Sequence, residues 1–277
     1  MGGPVKIAPK SATRIDLPPL RALGEDLLNT TRRERAQILL RPFLAVLLFS
    51  AAAWFGWWPV CLAAIGILHF SAYFSTAHDL VHGTLRLPKR ATDILLMVVQ
   101  LLVLQSGHAY RISHLHHHRA FPHSSDAEGN PAHHSLWRVL LEGPLYILRV
   151  TLASWKNAGK ERRWIMAETI FIALFIAVCL ALGDHAPWIC FYAATVILGS
   201  WLYPLVGVYV PHYAGGTNAL FHTRAFRGRL IPALLLQHTY HLEHHLYPQV
   251  PTPRWAELAR RLDTFLTEKG VQPIRLI

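Results

Sequence analysis

Lysine and arginine are missing from two long stretches of this 277-residue chain, Pro42 through Leu85 and Trp164 through Thr223. Acidic residues are scarce throughout: 16 Asp and Glu stand against 27 Lys and Arg, and only 16% of the sequence is charged. So few charges argue against an ordinary soluble domain. Cysteine is rare as well. Cys61, Cys179 and Cys190 lie in or beside apolar runs with no ligand spacing, which excludes a disulfide framework and an iron–sulfur set and leaves small hydrophobic fillers. No internal repeat, phosphate-cradling glycine loop, dinucleotide fingerprint or Ser-His-Asp arrangement stands out. The N-terminal stretch is polar and lacks the apolar core of a secretory signal. Lys6 replaces the Ser or Thr of the myristoylation pattern, so the stretch is expected to be partly mobile.

Apolar residues are abundant, at 52%, and the mean hydropathy is positive. A membrane protein is the natural class. A net charge of +11 in a soluble protein would suggest nucleic acid, but here every basic residue falls into three segments, the pattern of loops on one side of a bilayer. No nucleic-acid partner is expected. Each basic-free window holds two spanning helices of about 20 residues. The spans are read as 43–57, 59–77, 164–182 and 187–210, with external turns at 56–59 and 182–187. The expected fold is an all-α integral membrane protein with about four transmembrane helices in two hairpins and a cytosolic helical cap. It is read as a single domain: an N-terminal cytosolic or interfacial segment (1–41), the first hairpin (42–85), a central cytosolic segment (86–163), the second hairpin (164–211) and a C-terminal cytosolic segment (212–277). The run Ile94 to Leu104 is too short to span and predicts a re-entrant or interfacial helix. Leu20 to Leu40, Leu145 to Trp155 and Trp255 to Phe265 predict helices lying either on an anionic membrane surface or on the protein's own cytosolic core.

Histidine carries the chemistry. His78 and His82 are spaced i, i+4; His114-Leu-His-His-His118 holds i, i+3 and i, i+4 pairs; His241, His244 and His245 repeat the grammar after the fourth span. Residues three and four apart share one face of a helix, which no apolar core requires of histidine. Neutral imidazole binds iron, zinc and copper, and eight candidate ligands remain after one middle histidine is set aside, too many for one ion. All three clusters are expected on the basic side of the spans, where they can converge.

These residues resemble the membrane fatty acid desaturase and hydroxylase superfamily, whose members carry three histidine boxes binding two irons. His78 and His82 match the first box, Arg111 to His118 resembles the second, and Thr239 to Pro248 matches the third closely. The resemblance implies nine ligands: His78, His82, His114, His117, His118, His212, His241, His244 and His245. His212 is included because the family places a further histidine between the last span and the third box. By the family spacing His116 points away from the metals. Asp79, Asp126 and Glu243 are candidates to orient a ligand ring by accepting its other N–H, and His238, three residues before His241, to lie beside the ligands. His108, His123, His133, His134 and His222 read as loop or structural residues, and so do His69 and His185.

The resemblance implies a dioxygen-dependent di-iron oxidoreductase acting on an unactivated C–H bond of a membrane lipid. A fatty-acyl desaturase is the first reading; the alternative is a hydroxylase or ketolase of fatty acids or carotenoid rings. A zinc membrane hydrolase would need Glu where Asp79 stands, and a metal transporter would carry more ionisable groups inside the spans than His69 and Glu168. The reading is a multi-pass protein of a bacterial inner membrane with both termini and all boxes cytoplasmic. Its substrate enters from the bilayer. With no redox module in the chain, electrons are expected from a separate acidic carrier, a ferredoxin or a cytochrome of the b5 type, docking on a face rich in Arg86, Lys89, Arg90, Arg162, Arg163, Arg260 and Arg261.

Overall fold

The computed structural model describes residues 15–277, so the expectation for the polar stretch 1–14 falls outside the described residues. The described chain is all-helical apart from one short parallel pair, Phe226–Arg227 with Ile274–Arg275. Four helices are long and apolar enough to cross a bilayer. Helix α1 (Arg32–Trp54) begins eleven residues before the expected span, on a capping box in which Thr31 accepts from the Glu34 N–H and Glu34 accepts from the Thr31 N–H. Arg254 grips the same Glu34 carboxylate at 2.7 and 2.9 Å, tying the start of α1 to the C-terminal segment.

Pro42 lies inside α1 and has no N–H to offer the Ile38 carbonyl one turn back. The Thr76 hydroxyl, from the second span, donates to that carbonyl at 2.6 Å instead. Helix α2 follows from Trp58 to Val81, and its stretch Phe70–Ala77 is π-helical. The fourth span, from Pro187 to Tyr209, also ends in a π-helical stretch, Tyr203–Tyr209. Such turns widen the helix by one residue and are frequent at functional sites. Here the first leads directly into His78, and the second ends three residues before His212.

Between the hairpins, α3 (Lys89–Leu101) turns back into α4 (Gly107–Ala120). The turn reaches far along the spans: Tyr192, near the loop end of the fourth span, donates to the Leu102 carbonyl at 2.5 Å. That placement is re-entrant, as the short apolar run suggested. Helix α5 (Leu136–Asn157) buries Val139, Gly143, Tyr146 and Val150 while exposing Trp137, Leu141, Leu145, Leu148 and Leu152. An exposed apolar stripe at helical spacing suits a lipid interface. The third span is α6 (Arg162–Ala181), and the fourth begins as α7 (Pro187–Gly199).

The other two amphipathic segments behave differently. Leu27 is fully buried against α9 (Trp255–Glu268), whose Trp255, Leu258 and Leu262 are also fully buried. Arg261 locks the contact through Asp26 at 2.7 and 2.8 Å. Leu20 to Leu28 and Trp255 to Phe265 therefore cover the protein's own core. The Leu20 to Leu40 stretch is also not one helix, because Gly24 and the Thr31 cap divide it.

Candidate metal centre

All nine histidines of the expected set meet at the end of the spans where the three boxes lie. They fall into two groups: His78, His82, His114, His118 and His244, and His117, His212, His241 and His245. Within each group the available ring nitrogens lie within 4.8 Å of one another. The boxes are shared between groups because neighbours on a helix point to different sides. His114 and His118 are i, i+4 and serve one group; His117, between them, serves the other.

The spacing fits metal coordination. Two nitrogens about 2.1 Å from one ion and at right angles lie about 3.0 Å apart. In the first group Nε2 of His78 is 2.9 Å from Nε2 of His244, which is 2.8 Å from that of His118, and His118 and His114 are 3.2 Å apart. In the second, His212 is 2.9 Å from His117 and 3.1 Å from His245, which is 3.1 Å from His241. Hydrogen bonding cannot satisfy such a set, since each neutral ring has one donor for several facing acceptors. Burial, reinforced by neighbouring imidazoles, holds His82, His118, His212, His241, His244 and His245 below the ordinary imidazole range. The rings are neutral, the form that binds a metal.

The outer contacts fix individual rings. Asp126 accepts from Nδ1 of His117 at 2.6 Å. Burial alone would lower the pKa of His117, but the hydrogen bond and charge of Asp126, with the charge of Glu128, outweigh it and raise it. Glu128, which sequence reasoning missed, holds Nδ1 of His114 at 2.7 Å. Its signal was the acidic residue two places after Asp126. His212 uses Nδ1 on the Val208 carbonyl at 3.0 Å, one turn earlier. Arg224 was missed too: its guanidinium donates to the carbonyls of Val210 and His212 at 2.6 Å and of Tyr209 at 3.1 Å, clamping the end of the fourth span.

Two candidate orienting acids do other work. Asp79 accepts from the Thr84 hydroxyl at 2.9 Å and the Thr252 N–H at 3.1 Å, joining the first box to the segment before α9 rather than to a ring. Glu243 faces Arg227 at 2.8 Å, because its side of the short helix α8 (His241–Leu246) is turned away from the rings. His238 lies 4.9 Å from His241 between ring centroids, yet neither of its ring nitrogens has a direct partner, and burial pushes it down to about 3. His116 joins neither group, and neither do His123, His133, His134, His185 and His222. His108 is held by Glu168 at 2.6 Å, and His69 by Tyr203 at 2.5 Å.

Aromatic rings close the centre. Trp255 packs edge-on to His78 and tilted to His244, and Phe121 packs against His117 and His212, with ring centroids between 4.7 and 5.3 Å. An apolar cavity of about 520 Å³, lined by residues such as Phe49, Met97, Leu101, Phe171 and Tyr192, lies among the spans. None of its lining residues belongs to either histidine group.

The sequence model of the fatty acid desaturase family matches residues 52–275. This chain belongs to the fatty acid desaturase family. The match takes in every histidine of both groups. This desaturase-family protein is also similar to a beta-carotene ketolase from a Paracoccus species, 25% identical over 232 residues that cover 80% of this chain and 82% of the ketolase.

Proposed function

We propose that this protein is a dioxygen-dependent di-iron oxidoreductase that oxidises an unactivated C–H bond of a membrane lipid. The observation that carries the reading is the pair of buried or half-buried histidine groups, nine ligands in all, too many for one tetrahedral ion. Two irons held by His78, His82, His114, His118 and His244 and by His117, His212, His241 and His245 would supply the activation of dioxygen and the removal of hydrogen, which no side chain can do alone. The chain's own part is placement. Asp126, Glu128 and the Val208 carbonyl fix the rings of His117, His114 and His212. Trp255 and Phe121 keep bulk water from the rings they cover. The lipid reaches this end of the molecule beside α5, whose exposed apolar stripe lies opposite the buried face that packs on α4, where Ser154 donates to the Ala109 carbonyl at 2.8 Å.

Charge distribution supports boxes and termini on the cytoplasmic side. Reporter fusions after Gly56 and Asp184 are then external, and a cytoplasmic signal at either site refutes the topology. The electrons come from a separate carrier of the ferredoxin or cytochrome b5 type.

A second reading concerns the product. The extended likeness to a carotene ketolase favours oxygen insertion into a carotenoid-type ring over desaturation of an acyl chain. Expression in an iron-supplemented host that makes both carotenoids and ordinary acyl lipids separates them by mass. Loss of two hydrogens from acyl lipids is desaturation; gain of oxygen on the carotenoid is hydroxylation or ketone formation. Unchanged lipids, with the metal sites filled and a reductant supplied, contradict both.

A further inference from the structure

Several basic residues of the box-side surface are already paired. Lys89 is bonded to Asp93, Arg86 to the Leu28 carbonyl, and Arg261 to Asp26 and Glu257. One place differs. A cleft of about 370 Å³ opens between the strand pair 226–227/274–275 and α9, lined by Arg227, Arg229, Arg260 and Arg275 against a single acid, Asp263. Arg229 and Arg275 are exposed and take part in no salt bridge among the described residues. The exposed Leu230 and Ile274 follow or precede them directly, so apolar surface adjoins the unpaired charge.

The cleft is joined to the histidine groups by the shortest possible covalent path. Tyr240 lines it, and the next residue is His241 of the second group. The Tyr240 hydroxyl donates to the Gly228 carbonyl at 3.0 Å, fixing the ring in the cleft wall, and the Arg227 guanidinium lies 6.0 Å from its centroid. Arg227 also reaches inward to Glu243, between His241 and His244, at 2.8 Å. A second cleft, at Tyr213 beside His212, also holds a cation, but its Arg224 is engaged with three main-chain carbonyls.

We infer that this cleft is the docking surface for the electron donor, an acidic one-electron carrier protein whose carboxylates meet Arg229, Arg260 and Arg275 and whose cofactor faces Tyr240. The inference rests on the proposed oxidase function and names its partner's seat. Each encounter would bring one electron from the reduced carrier to the Tyr240–His241 wall, beside the histidines that would hold the metals. Two encounters supply the two electrons that one dioxygen-dependent oxidation draws from a donor, and the accompanying protons come from water. Arg32 and Arg33, exposed at the start of α1, are not among the residues lining this cleft.

The test uses full-length protein in phosphatidylcholine nanodiscs and an oxidised, acidic [2Fe–2S] ferredoxin, whose binding requires no turnover. The charge-reversed R229E/R275E should weaken ferredoxin binding roughly tenfold or more and flatten its salt dependence, while R32E/R33E, with the same change in net charge, shifts it roughly twofold or less. Melting temperature and metal content are checked for each variant. If the reversal prevents folding, R229Q/R275Q is measured in its place and should weaken binding by a smaller factor. Equal losses in the two variants show that net charge and not the cleft is recognised, and overturn the proposal. So does unchanged affinity in R229E/R275E, or no binding by the wild type. A lipid-headgroup site gives a different pattern: R229E/R275E loses stabilisation by phosphatidylglycerol nanodiscs yet keeps its ferredoxin affinity, which also refutes the inference. Because binding is read with oxidised carrier and metal content separately, failure of the cleft is distinguishable from failure of the metal reading.

Discussion

Replacing Asp126 by asparagine tests whether the two histidine groups are separate sites. In the native chain the Asp126 carboxylate accepts twice, from Nδ1 of His117 at 2.6 Å and from the Gly129 N–H at 3.0 Å. Both side chains of the ion pair are buried, so water cannot substitute. An amide has one oxygen and one NH2 group. Whichever way the new amide turns, one buried N–H faces another donor. An unsatisfied buried donor costs about 1–3 kcal/mol, and losing the carboxylate partner of a metal-binding histidine lowers metal affinity by about 10–100-fold, or about 1.4–2.7 kcal/mol. The two routes agree in size. The expected outcome is selective: in a chelator titration followed by metal analysis, one ion leaves D126N at roughly 10–100-fold lower chelator while the other leaves as in wild type. The first group keeps Glu128 on His114 and is untouched by the change. Simultaneous release of both ions, or an unchanged curve, would refute the assignment of Asp126 to one site.

Three further outcomes follow from other contacts. His117→Ala should remove the second-group ion and turnover, while His116→Ala, outside both groups, should leave two ions bound; equal damage in metal analysis would overturn the division within the second box. Thr76→Val leaves the Ile38 carbonyl unsatisfied opposite Pro42 and should destabilise the protein by about 1–3 kcal/mol in thermal or denaturant melts. Pro42→Ala in the same chain restores the missing donor and should recover part of the loss; an additive double variant contradicts the explanation. For the metal-free protein, folding lowers the pKa of six desolvated imidazoles from the ordinary value of 6.5. Between the depressed values and 6.5 the unfolded chain binds more protons, so stability is complete above that pH and falls on acidification. The slope is about 1.4 kcal/mol per pH unit for each fully depressed ring. A melting temperature that stays flat as the pH falls below 6.5 would contradict this burial.

The four spans were legible because lysine and arginine mark their limits, and the boxes because repeated i, i+3 and i, i+4 histidines have no structural explanation. The π-helical turns before His78 and His212 were not, since they depend on how spans 2 and 4 pack and leave no local pattern. Asp79 and Glu243 show why position within a box is a poor guide to role. Each points off the ligand face, and its partner, Thr252 or Arg227, lies far away in sequence. The amphipathic segments Leu20 to Leu28 and Trp255 to Phe265 are apolar on one face either way. Only their tertiary meeting through Leu27, Trp255 and the Arg261–Asp26 pair tells core from lipid surface. Glu128 and Arg224 escaped for a similar reason: single charged loop residues carry no pattern until the chain folds them against His114 or His212.

The most direct measurement is the metal content of protein purified after expression in iron-replete medium, read by elemental analysis together with Mössbauer spectroscopy. Two histidine groups, one of five and one of four rings, predict two irons per chain in non-haem, nitrogen-rich environments. About one equivalent of zinc with no iron would contradict the account, because a single tetrahedral ion leaves most of the nine clustered histidines without a function.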